Sequence, residues 1–225
     1  MPSSPVIDSI TATSASKLRI AYHNSGTGDH NRLYRSAIGE YGGLAVKIAD
    51  PIAWSTAGAI YDDFAVASDV PYTYQMVAVD ASGNTAASAT ANGSVHLVSA
   101  WLHSVTKYDP VQNAVLSAKL AETGAHARDY GLASLARVLG NALAPVVGLS
   151  GIEELGVQIP IVVPFGSADR ETIRSMFLSR LYCCLRTGLG NKWFGRIQPV
   201  DENYGGAAAV TVLGFQVLDF RESVA

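Results

Sequence analysis

The stretch AIYDDFAVASDVPYTYQMVAVDASGN, residues 59–84, joins an acidic turn, an alternating segment and a closing turn in one run. Tyr72, Tyr74, Met76 and Ala78 recur at every second position with Thr73, Gln75 and Val77 between them, the pattern of a strand with one face on a core. Asp80, Ser82, Gly83 and Asn84 end the strand with turn-forming residues. An aromatic at the head of such a strand fits a tyrosine corner of a β-sandwich, in which the Tyr72 phenol caps backbone groups of the preceding loop. Asp63 then serves the turn as a structural acid.

Working outward, Ile7 and Ile10 mark a first strand, and Leu18, Ile20 and Tyr22 alternate with Lys17, Arg19 and Ala21 as a second. HNSGTGDH (23–30) reads as a polar loop, 32–36 as a third strand, and 44–48 as a fourth after Gly42-Gly43. Residues 85–94, thin in apolar side chains, read as a last, edge strand. Pro2 and Pro5 make residues 1–5 a short arm. On YDDFAV (61–66), YTYQMVAVDASGN (72–84) and NRLYRS (31–36), this half resembles a fibronectin type III module. The resemblance implies a core tryptophan on the second strand, where Tyr22 stands instead.

A sandwich of residues 1–96 leaves more than half of the 225 residues for a second domain, 97–225. Charged residues are 16% of the chain, against about 25% in an average soluble domain. Mean hydropathy is +0.19. So apolar a surface points to burial against other subunits. No run reaches the ~20 apolar residues of a membrane span, and a net charge of −3 argues against a dedicated nucleic-acid partner. Cys183 and Cys184 are neighbours that a strand would point to opposite faces, which disfavours a mutual disulfide. MPSSPVID lacks the basic start and apolar core of an export signal, so arrival outside a cell would come by release of an assembled particle.

In the second half, 105–108 and 114–120 read as strands around Asp109-Pro110. Leu132, Leu135, Leu139 and Ala142 keep helical spacing, but Gly140-Asn141 interrupts them as a hairpin turn would, so 123–156 stays open between helix and hairpin. Pro160 and Pro164 make 157–165 an extended edge segment. A helix is expected at about 168–181, capped by Ser167 or Asp169, with Ile173, Met176, Phe177 and Leu181 on its packing face. Strands broken at 188–190 and 205–206 follow. The fold class is thus mainly β: a sandwich, then a β-barrel or sandwich domain carrying one main helix.

LRTGLGNKWFGRI (185–197) and VTVLGFQVLDF (210–220) resemble the body of minor or distal tail proteins of long-tailed bacteriophages, with an Arg-containing strand, a glycine turn, an aromatic-Gly pair and a strand closing a barrel. The resemblance implies a structural virion protein at the tail tip or baseplate, assembled in the host cytoplasm as a homo-oligomeric ring or hub, a trimer or hexamer contacting other tail proteins. The alternative is adhesion to a host-surface glycan through Trp54, Tyr61 or Tyr41.

No constellation of residues points to catalysis or a cofactor. His23, His30, His96, His103 and His126 lack metal-ligand spacing, although His23 and His30 flank one loop with Asp29. Asp62, Asp63 and Asp69 could suggest calcium, but no EF-hand spacing is present. There is no G-x-S-x-G, the glycine runs 26–28 and 188–190 match no phosphate-binding pattern, and Asp201-Glu202 opens a hairpin loop. Asn92-Gly93-Ser94 matches a glycosylation sequon, which means little without export. Arg170, Arg174, Arg180, Arg186, Lys192 and Arg196 form a basic segment suited to intersubunit pairing with Asp201, Glu202, Asp219 or Glu222.

Overall fold

The computed structural model describes residues 1–13, 16–37, 43–105, 117–122, 127–137, 146–164, 167–198, 201–205 and 208–217. It is mainly β and entirely antiparallel in its strand pairing. Strands β1 (Val6–Thr13), β2 (Lys17–His23) and β5 (Ala59–Asp63) form one sheet in the order β1-β2-β5. The facing sheet runs β4 (Val46–Ala53), β3 (His30–Ala37), β6 (Tyr72–Val79), β7 (Thr85–Ala87), and β8 (Ala91–Gly93) also pairs with β6. Leu18, Ile20 and Tyr22 of β2 meet Leu33 of β3 and Tyr72, Tyr74 and Met76 of β6 in the core between them. The period-two alternation of β2 and β6 is the alternation of their burial.

Two strands differ from expectation. The fourth spans Val46–Ala53 and runs through Pro51, further than 44–48. The last is split into β7 and β8, because the Ser88 hydroxyl accepts from the Met76 amide at 3.0 Å and so occupies the ladder between them.

The second half holds β9 (Ala100–Val105), β10 (Ser117–Glu122), β11 (Ala127–Arg137), β12 (Val146–Pro164), α1 (Ala168–Leu178), β13 (Tyr182–Arg186), β14 (Lys192–Ile197), β15 (Asp201–Gly205) and β16 (Ala208–Val217). The sheet order is β11-β12-β10-β9-β13-β14-β16-β15, and β12 also pairs with β16. The path β12-β10-β9-β13-β14-β16 therefore returns on itself as a barrel, with β11 and β15 outside the ring. The apolar run around residue 100 is β9 itself, earlier than the strand expected from 105, and 106–116 lie outside the described residues. Of the open choice at 123–156, the described residues form the antiparallel pair of β11 and β12, with Leu132 and Leu135 in a strand, while 123–126 and 138–145, including Leu139, Gly140, Asn141 and Ala142, lie outside the described residues. The segment 157–165 is not an edge: β12 pairs with β16 over Leu155–Pro164 and with β10 at Ile161 and Val162. Pro160 is tolerated because it falls between the last β11 partner, at Gln158, and the first β10 partner, at Ile161.

Helix α1 starts at the expected cap, with Ser167 Oγ accepting from the Arg170 amide, but ends at Leu178 rather than about 181. Arg180 takes φ 51°, the left-handed conformation that ends helices, and Leu181 N–H closes onto Met176 O at 3.1 Å. Ile173 and Met176 are buried against the barrel core of Leu102, Cys183, Leu185 and Phe215, whereas Phe177 faces outward. No helix among the described residues is long and apolar enough to cross a membrane. Met176→Ala should lower the unfolding free energy in urea by about 2–5 kcal/mol by opening a cavity under α1. Exposed Arg174→Ala should stay within about 0.5 kcal/mol in the same titration.

Candidate functional site

The polar groups that converge most closely lie at the corner between β5 and β6. Leu33 and Arg35 share one phase of β3, so the alternation that buries a leucine also buries a guanidinium. A buried cation requires an anion, and Asp63 Oδ2 receives Arg35 Nη1 at 2.7 Å. The Tyr74 hydroxyl donates to the same oxygen at 2.8 Å, and Asp63 Oδ1 accepts from the Ala65 amide at 2.8 Å. Burial together with the neighbouring carboxylate holds the Tyr74 phenol well above its ordinary pKa. Tyr72 OH accepts from the Ala67 amide at 2.9 Å, the capping expected of a tyrosine corner, and its ring lies 5.0 Å from the Arg35 guanidinium carbon. Tyr22 is buried and donates to Ala53 O at 2.9 Å.

The same corner holds the barrel. Arg35 Nη1 and Lys192 Nζ both donate to Ala65 O, at 2.9 and 3.2 Å, and Arg186 Nη1 donates to Val66 O at 3.2 Å. Leu97 N donates to Ser68 Oγ at 2.9 Å. At Gly188 an added Cβ would stand 2.7 Å from Leu97 O, so the turn between β13 and β14 needs a glycine to approach the connection this closely.

Alternation along β9, β13 and β14 explains how one sheet serves two cores. Trp101, Tyr182, Cys184 and Phe194 pack with the sandwich residues, while Leu102, Cys183, Leu185 and Trp193 pack in the barrel under α1. Cys183 and Cys184 thus belong to different cores and neither is in a disulfide. Burial pushes the Cys183 thiol up to about 12, which removes it as a nucleophile near neutral pH. His103, also buried, has its ring 5.8 Å from that of Phe64, and neither ring nitrogen has a hydrogen-bond partner among the described residues. Desolvation, then the positive charges of Arg186 and Lys192, hold it well below the ordinary histidine pKa.

The remaining candidates disperse. Asp62 takes Lys17 and Arg19, and the Arg19 hydrogen bond holds its carboxyl below the usual range; Asp63 faces Arg35, and Asp69 meets His96 at 3.0 Å. The three carboxylates therefore do not converge as calcium ligands would. His23 pairs with Asp8 at 2.7 Å, and His30 with Asp29 at 2.8 Å and Asp50 at 3.3 Å, so the loop histidines face different acids. The basic segment does not form one face. Arg186 is fully buried and Lys192 turns inward, because the strand period sends both toward the sandwich corner, while Arg196 stacks 4.4 Å over the Tyr182 ring. Arg174 and Arg180 remain exposed, with Arg170 half-buried. Trp54 packs over Gly28, Tyr61 is 5% exposed, and Tyr41 and His126 lie outside the described residues, as do Asp219 and Glu222. The missed residue with a legible signal is Arg35, a basic side chain in the buried phase of a strand.

Asp63→Ala should cost about 3–5 kcal/mol in a urea titration, since Arg35 would stay buried without its counter-charge. Tyr72→Phe should cost about 1–3 kcal/mol by depriving the buried Ala67 amide of its acceptor. No family model matches this chain, and no curated protein matches it.

Proposed function

We propose that the protein is a structural, non-enzymatic virion component of a long-tailed bacteriophage, a minor tail protein of the tail tip or baseplate that assembles as a homo-oligomeric ring or hub. The observation that carries this reading is the far end of the β11–β12 hairpin. Among the described residues, β12 has β16 as partner from Leu155 onward and β10 at Ile161 and Val162, while Val146, Val147, Gly148, Leu149, Glu153 and Glu154 have β11 as their partner strand. A two-stranded ribbon is marginally stable in water, and its open edge offers unpaired N–H and C=O groups. A neighbouring copy supplies what such an arm lacks, and the low charge of the chain fits a surface covered by other subunits.

The work done is assembly through apolar and charge-complementary contacts, with no covalent step and no cofactor. Arg174 and Arg180 are exposed basic residues that would meet a carboxylate of another copy, such as Asp201 or Glu202, at the start of the outer strand β15. The seam residues direct their cations at backbone carbonyls, which suits a joint between two halves. Glycan adhesion by the sandwich draws no support from Trp54 and Tyr61, which are packed rather than displayed.

Light scattering behind size exclusion, with negative-stain images of the same peak, is expected to show a closed trimer or hexamer of the full chain. Deleting residues 134–149, the far part of the arm, should reduce it to a monomer whose circular dichroism still reports a folded β protein. A full chain that stays monomeric at high concentration overturns autonomous ring formation. Retained oligomers after the deletion overturn the role of the arm.

A further inference from the structure

His103 is a buried polar side chain at the seam whose ring nitrogens have no hydrogen-bond partner among the described residues. It lies on β9 directly across from Cys184 of β13, whose side chain shares the sandwich-facing core, and its ring meets Phe64 of the sandwich corner. Lys17 Nζ, paired with Asp62, lies 4.9 Å from the Phe64 ring centroid. The charged groups that bear on the imidazole are Arg186 of β13 and Lys192 of β14, both cationic. On β10 the cross-strand position is Ser117, which carries no charge. The buried carboxylate of the corner, Asp63, is already bonded to Arg35, Tyr74 and the Ala65 amide.

We infer that His103 is an acid-sensitive latch, whose protonation between Arg186 and Lys192 releases the sandwich corner from the β9-β13-β14 face of the barrel. A neutral imidazole is tolerated there as an aromatic disc against Phe64. An imidazolium brings a third positive charge into a site where its nitrogens have no acceptor among the described residues, and it regains water by opening the seam. The sign follows from linkage. His103 titrates below its ordinary value when the seam is closed and near about 6.5 when it is open, so the open form binds the extra proton first. The closed seam has its full stability above pH ~6.5 and loses it progressively as pH falls below that value toward the closed-state pKa.

The two cysteines report separately on this event. Cys184 belongs to the seam and Cys183 to the barrel core, and both are fully buried. In full-length Cys183→Ala, labelling of Cys184 by 4,4′-dithiodipyridine, divided by the rate of the same variant unfolded in urea at the same pH, should quicken by up to about tenfold per pH unit below ~6.5. In full-length Cys184→Ala, Cys183 should stay protected over the same range. Adding His103→Phe should flatten the Cys184 profile. Lys192→Met, which removes one of the two cations while leaving the histidine, should make it shallower and serves if the phenylalanine variant does not fold. Simultaneous exposure of both thiols, a Cys184 that stays protected to pH ~5, or a slope unchanged in the variants overturns the latch.

Discussion

A carboxylate sealed from water must collect donors, and Asp63 at the head of the corner collects three: Arg35, Tyr74 and the Ala65 amide. Those bonds settle more than the charge of Arg35. They tie β5 of one sheet to β3 and β6 of the other and set the path of residues 63–67. Tyr72 clamps the same loop from the next strand through the Ala67 amide. The carbonyls of Ala65 and Val66 are thereby turned toward the barrel, where Lys192 and Arg186 meet them. Sandwich and barrel are consequently joined through backbone acceptors whose positions depend on a buried ion pair.

Strands β9, β13 and β14 put the period of two to a second use. Barrel strands ordinarily have one face inward and one toward solvent. Here the outward face of these three is covered by the sandwich, so both phases are buried and both cysteines disappear into separate cores. This accounts for part of the low charge density of the chain within a single molecule. Among the described residues, Leu44, Ile60, Val98, Leu178 and Leu189 are exposed apolar side chains that, with the arm, an assembly would cover.

As a tail component, such a protein would divide its labour. The barrel, with its arm, would make the repeated contacts of a ring, and the sandwich would ride on the barrel wall, held by the corner. Intersubunit contact then falls to the helix end and the arm, because Arg186 and Lys192 are engaged inside the chain.

Local alternation determined β2 and β6, with Tyr22 and Tyr72 on their buried faces, and local capping determined the helix start at Ser167, because each depends on neighbours within a few residues or on a face set by period two. Arg35 was legible by the same rule, since its phase is that of Leu33. Tertiary structure decided the rest. Pro160 suggested an edge, yet β12 is central: Pro160 faces Val212 of β16 on one side and falls in the gap between β11 and β10 on the other. The six basic residues of 170–196 were close in sequence but part company in space, since alternation and the end of α1 at Arg180 send them to different surroundings. His103 and the Phe64 ring it meets are 39 residues apart in the chain (103 against 64), and Arg186 is 120 from Val66. A contact of that span leaves no periodic mark, so only the closing of the barrel against the sandwich brings those groups together.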